Sequence, residues 1–114
     1  MPIYSENDAL TFDLQGDEAL NFEITTFNGT EVSVSFGFPP KTVNSEKRST
    51  EFTATAGASL IFTGSMNNPM GNSNKVRHTI TQGDHSLEYT FPDNYSGDYP
   101  GGSGNTDYQF TVKF

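Results

Sequence analysis

Apolar side chains fall on every second residue along most of this chain, and that alternation constrains the fold more than any other feature. In Leu20-Asn21-Phe22-Glu23-Ile24-Thr25 the apolar residues take the even positions. Val32, Val34, Phe36 and Phe38 alternate with Ser33, Ser35 and Gly37; Val76, His78 and Ile80 with Arg77 and Thr79; Leu87, Tyr89 and Phe91 with Glu88 and Thr90. Tyr108, Phe110, Val112 and Phe114 repeat the pattern. Successive strand side chains point to opposite faces, so each segment has one apolar and one wetted side. Leu10, Phe12 and Leu14 predict a first strand; Phe52 with Ala54, and Leu60 with Phe62, predict two more. No stretch carries a helical period, and the abundant Gly, Thr, Ser and Asn all sit poorly inside helices.

The chain holds ten Phe and five Tyr. Each fully buried Phe is worth roughly 1.5–3 kcal/mol, enough in sum for a core at this length. The expectation is an all-β domain spanning residues 1–114: two packed antiparallel sheets forming a jelly-roll-like β-sandwich of about eight strands. A closed barrel is the alternative. Asn28-Gly29 is the strongest hairpin signal, because both residues tolerate positive φ, and Ala56-Gly57 marks another reversal. Residues 39–49, 64–74 and 92–105 read as irregular. The last strand, ending at Phe114, is expected inside a sheet rather than at its edge.

Charge and composition exclude several function classes. Six basic against 14 acidic side chains leave −8, which opposes binding a phosphate backbone. Cysteine is absent, so there is no disulfide, thiolate metal site or cysteine nucleophile. No apolar run reaches the roughly 20 residues of a membrane helix. The first residues, MPIYSENDAL, do not read as a signal peptide, which predicts a cytoplasmic or leaderless secreted protein. There is no G-x-S-x-G nucleophile elbow. His78 falls on the apolar parity of its strand and reads as a core residue. Glu23, Glu31, Glu51 and Glu88 fall on the wetted parity and read as a solvated face. The expectation is a protein that is not an enzyme.

The segment before the last strand carries the most chemistry. Asp93, Asn94, Asp98, Asn105 and Asp107 lie among Gly97, Gly101, Gly102 and Gly104. Hard cations such as Ca2+ want oxygens from carboxylates, amides and backbone carbonyls. Sugar hydroxyls want the same acceptors, and Tyr95 or Tyr99 could lie against the apolar face of a sugar ring. Asp, Asn and Gly are also what ordinary turns require, and composition alone leaves both readings open. Asn28-Gly-Thr30 and Asn94-Tyr-Ser96 fit the glycosylation acceptor pattern and are read as turn chemistry.

Asp98-Tyr-Pro-Gly-Gly-Ser-Gly-Asn105-Thr106, running into Tyr108-Gln-Phe-Thr-Val112, resembles the C-terminal calcium segment of the galactophilic bacterial lectins, small β-sandwiches with a calcium-dependent galactose site. The resemblance implies Asp98 and Asn105 as side-chain ligands, a backbone carbonyl from Gly102, and a ligand at Thr106, where the family has Asn. The order of features, with an early hairpin, a strand-turn-strand at Phe52 to Phe62 and Lys75-Val-Arg-His78, is similar to that of the aegerolysins, acidic β-sandwiches that bind membrane lipids. That family's Trp and Cys positions have no counterpart here. The leading expectation is a lectin binding glycans or glycoconjugates through Asp93, Asn94, Tyr95, Asp98, Tyr99, Gly102, Asn105 and Asp107, and the resemblance implies Ca2+ at Asp98, Gly102, Asn105 and Thr106. Weak single sugar sites are usually combined, so a homo-oligomer is expected. A membrane-lipid-binding or pore-component protein is the alternative.

Overall fold

The two-residue period folds as it reads. In the computed structural model, which describes residues 2–114, the alternation is realised in ten strands and no helix among the described residues. They are β1 (Ile3–Ser5), β2 (Leu10–Thr11), β3 (Leu20–Thr26), β4 (Glu31–Phe36), β5 (Lys41–Asn44), β6 (Ser49–Phe52), β7 (Ser59–Asn67), β8 (Val76–Gln82), β9 (His85–Phe91) and β10 (Thr106–Lys113). One sheet has six strands, ordered β1-β10-β7-β4-β5 with β2 also on β10; the other has four, ordered β6-β3-β8-β9. Together they form a β-sandwich, as the alternation predicts.

The inward residues of the two sheets meet as a continuous aromatic seam. Phe62 lies 4.6 Å from Phe36, 4.9 Å from Phe22 and 5.1 Å from Phe110, between ring centroids. Phe36 leads to Phe52, Phe52 to Phe114, and Phe114 to Phe12. Offset and edge-on contacts of this kind add to the area each ring removes from water. Glu23, Glu31, Glu51 and Glu88 are all exposed, on the outer parity.

β10 lies inside its sheet, between β7 and the first residues of the chain. Ile3 to Ser5 pair with Asp107 to Gln109, and Leu10 and Thr11 with Val112 and Lys113, both in parallel. β1 and β2 therefore act as one interrupted edge strand. This edge departs from the expected antiparallel pattern: Ile3–Ser5 has too few apolar residues to announce itself. Of Leu10, Phe12 and Leu14, only Leu10 falls in a strand, although Phe12 is buried and donates its N–H to the Lys113 carbonyl.

Several local expectations are corrected. Asn28 and Gly29 do have positive φ, 60° and 90°, and Thr30 N–H closes the turn on the Phe27 carbonyl. Yet the turn joins strands in opposite sheets: β3 pairs with β6 and β8, and β4 with β5 and β7. Phe22 and Phe36 meet edge-on across the seam, so the chain arches over the core instead of pairing beside itself. β4 ends at Phe36, and Phe38 projects into solvent. β5 lies inside the segment read as irregular, and β7 continues to Asn67 through Gly64. A Cβ on Gly64 would overlap the ring of Tyr108, its cross-strand partner, which explains a glycine in mid-strand.

Candidate functional site

The three connections Phe27–Thr30, Asn68–Lys75 and Pro92–Asn105 gather at one end of the sandwich. The last of these leaves β9, crosses to the other sheet and enters β10. Its first half closes the side where edge strands β1 and β9 face each other. There Tyr4 meets Tyr95 at 5.9 Å and Tyr99 at 5.0 Å, both edge-on, and Phe91 packs on Tyr95 and Tyr99 at 5.3 and 5.1 Å. Tyr95 and Tyr99 are half-buried and packed against the core. Their ring faces serve the closure of the fold, which leaves less of them for a ligand than the sequence implied.

A carboxylate far away in sequence holds this half. Glu6 Oε1 accepts from the Ser96 N–H at 2.8 Å and the Tyr89 hydroxyl at 2.9 Å, and Oε2 accepts from Ser96 Oγ at 2.8 Å. Asn94 is spent on the turn: its Oδ1 accepts the Thr90 N–H at 2.7 Å, as the turn reading expects. Asp93 pairs with Lys75 at 2.9 Å, a partly exposed contact worth about 1 kcal/mol or less. Lys75 and Arg77 flank the Phe27 ring, 5.1 and 5.2 Å from its centroid.

The second half forms the rim, tied down by two asparagines. The Asn68 N–H donates to the Ser103 carbonyl and the Asn74 N–H to the Gly102 carbonyl, both at 2.9 Å. Asn74 Nδ2 donates to the Gly104 carbonyl at 2.9 Å, while Asn68 Nδ2 reaches the Asn28 carbonyl at 2.9 Å. One side chain thus braces the loop and the other links the arch. Asn74 Oδ1 is the one buried side-chain oxygen without a partner among the described residues. Gly101 and Gly102 have φ of 80° and 113°, which bends the rim where a side chain would strain. Asp98 and Asn105 are exposed and have no hydrogen-bond partner among the described residues. Asp107 is half-buried within β10, opposite Ser65 and Ile3.

The implied calcium ligands are differently occupied. The Thr106 hydroxyl donates to the Gly104 carbonyl at 3.1 Å, and its oxygen takes contacts from Tyr99 Oη at 3.2 Å and Asn74 Nδ2 at 3.5 Å. Thr106 is itself buried, and the Gly102 carbonyl already accepts from Asn74. Asp98 and Asn105 keep their oxygens free, well short of the six to eight that calcium takes. Among the described residues no group of three or more His, Asp or Glu side chains could hold a metal ion. The residues in place do not fit calcium in the arrangement the resemblance implies.

A groove of about 570 Å3 lies on the outer face of the six-stranded sheet, beginning just past the arch. Glu31 and Glu46 line it with Val32, Ser33, Ser45, Ser65, Asn44 and Asn67, so hydroxyl, amide and carboxylate groups share it with apolar surface. No signal in the sequence joins these residues, because they come from three different strands and a turn. Glu6 and Asn74 were equally invisible, since each acts on residues far along the chain.

His78 is a core residue, as its parity predicts. Nδ1 donates to the Tyr89 carbonyl at 2.7 Å and Nε2 accepts from the Tyr108 hydroxyl at 2.6 Å, which fixes a neutral Nδ1–H tautomer. Burial pushes its pKa down to about 4 against the partial support of the Tyr89 carbonyl. Burial likewise drives the Tyr108 phenol well above its ordinary range. With both nitrogens committed to the interior, His78 serves packing.

No family model matches this chain, and no curated protein or solved structure proves similar to it.

Proposed function

We propose that this protein is a lectin, binding glycans or glycoconjugates at the rim formed by residues 98–105 and the neighbouring Asn68–Asn74 connection. One observation carries the reading. The loop is braced from beneath by Glu6, Asn68 and Asn74, while Asp98 and Asn105 stay exposed with their acceptors unspent. Sugar hydroxyls are donors looking for such acceptors, and a braced loop loses little entropy on binding. The groove past the arch supports the same ligand class, since its hydroxyl, amide and carboxylate groups lie beside apolar surface, and a sugar likewise offers hydroxyls beside an apolar ring face. Asp93, Asn94, Tyr95 and Tyr99 then shape the loop more than they touch the ligand. Binding is direct, through side chains and backbone, and does not wait on a bound ion.

A glycan array probed with and without chelator tests this. The expected result is binding to a restricted set of glycans that survives chelation and is competed by a free sugar. Asp98→Ala and Asn105→Ala should each weaken binding about tenfold or more while leaving the far-UV β signal unchanged. Wild-type levels of binding in the double variant would remove the rim from consideration, and loss on chelation would restore the calcium version.

A further inference from the structure

Phe38 is 99% exposed, the most exposed of the large apolar side chains among the described residues. It stands at the end of the sandwich opposite the rim, on the Gly37–Pro40 turn between β4 and β5. Gly37 has φ of 81°, which turns the chain so that Phe38 leaves the inward parity of β4. It borders a groove of about 400 Å3 that is also lined by Phe36, Phe52, Leu60, Pro39 and Pro40. A protruding aromatic ring and an apolar recess therefore share one tip.

Such a tip is complementary to itself. In an isologous twofold contact each copy offers the same surface, so a knob and a recess on one patch are both satisfied at once. The charges agree. Lys41 borders this groove and also an adjoining depression that contains Glu51. Neither forms an ion pair among the described residues, where Lys75 pairs with Asp93. In a twofold contact at this tip, Lys41 of one copy would complement Glu51 of the other. A net charge of −8 gives an anionic membrane no comparable attraction.

We propose that the Phe38 tip is the self-association surface of this chain, with each Phe38 ring seated in the groove of a second copy. The dimer carries its two rims at opposite outer ends, facing away from each other. On the lectin reading this is the geometry that bridges two glycan-bearing surfaces, and that consequence rests on the reading while the dimer itself does not.

Sedimentation velocity over a range from low to high micromolar tests it with the full chain. The wild type should shift from monomer to dimer with concentration. Phe38→Ser should weaken self-association about tenfold or more, with an unchanged melting temperature at concentrations where the wild type is monomeric, because the ring is exposed in the monomer. Lys41→Glu should weaken it as well, and adding Glu51→Lys should restore it. If the rim binds sugar, Phe38→Ser should abolish agglutination and keep monovalent sugar binding, so failure of the dimer and failure of the lectin reading are separable. A wild type that stays monomeric, or a dimer that persists in Phe38→Ser, overturns the proposal. So does Phe38-dependent sedimentation with phosphatidylcholine vesicles in the absence of self-association, which would make the tip a lipid-binding element.

Discussion

Acidification from pH 7 to about pH 4.5 should cost this protein a large part of its stability through one side chain. In the unfolded chain an imidazole gains its proton near 6.5; inside the sandwich His78 does so only near 4. Between those values the unfolded chain takes up a proton that the folded one refuses, so falling pH favours unfolding. Above 6.5 both forms are neutral and the effect vanishes; below about 4 both are charged and it levels off. At roughly 1.36 kcal/mol per pH unit, the gap between 6.5 and about 4 is worth about 3 kcal/mol. Little water screens the effect, since His78 is buried among Phe22, Tyr89, Tyr108 and Phe110. Natural domains hold about 5–15 kcal/mol in all, so the loss should be plain in urea melts taken at successive pH values. His78→Gln keeps a donor for the Tyr89 carbonyl and an acceptor for the Tyr108 hydroxyl but does not titrate. It should start less stable and show a flatter slope between these pH values. Parallel slopes in the two proteins, or an NMR midpoint for His78 near 6.5, would refute the argument.

Three further outcomes follow from the packing. Gly64→Ala should destabilise by about 3 kcal/mol in chemical denaturation, because the Tyr108 ring must shift and release His78 Nε2; a loss near zero would mean the ring has room that the structure denies it. Glu6→Ala should cost about 1–3 kcal/mol and speed hydrogen exchange at Ser96, which loses its acceptor, while core amides in β3 and β8 exchange as before. Deleting Phe110–Phe114 should give insoluble protein, since it opens the interior of the six-stranded sheet and removes two rings from the seam; a soluble, cooperatively melting truncation would contradict that.

Much of the architecture was legible because burial in a sandwich leaves a direct trace in sequence. Leu20 to Thr25, Val76 to Ile80 and Tyr108 to Val112 each declare a strand and its inward face. Parity even placed His78 in the core and four glutamates in water. What stayed hidden was everything that joins distant segments. Asn28-Gly29 announces a turn but not whether the flanking strands pair or face each other, since both arrangements bury the same residues. Glu6 sits among polar neighbours and gains its meaning only beside Ser96 and Tyr89. Tyr95 and Tyr99 looked like ligand-facing rings because the sequence does not show that Tyr4 comes to meet them. Phe38 kept the parity of its strand on paper, and only the left-handed turn at Gly37 takes it out of the core.

The place of β10 has a consequence for how the molecule is made. β10 follows the nine other described strands along the chain, yet it lies between β7 and the pair β1 and β2. Until it emerges from the ribosome, β7 carries a bare row of backbone donors and acceptors, and β1 and β2 have nothing to hold them. The edge of β7 therefore stays open until β10 arrives, and pairing between residues as far apart as Ile3 and Asp107 makes that insertion slow. The yield of soluble material should therefore depend on temperature and expression rate as well as on the stability of the finished fold.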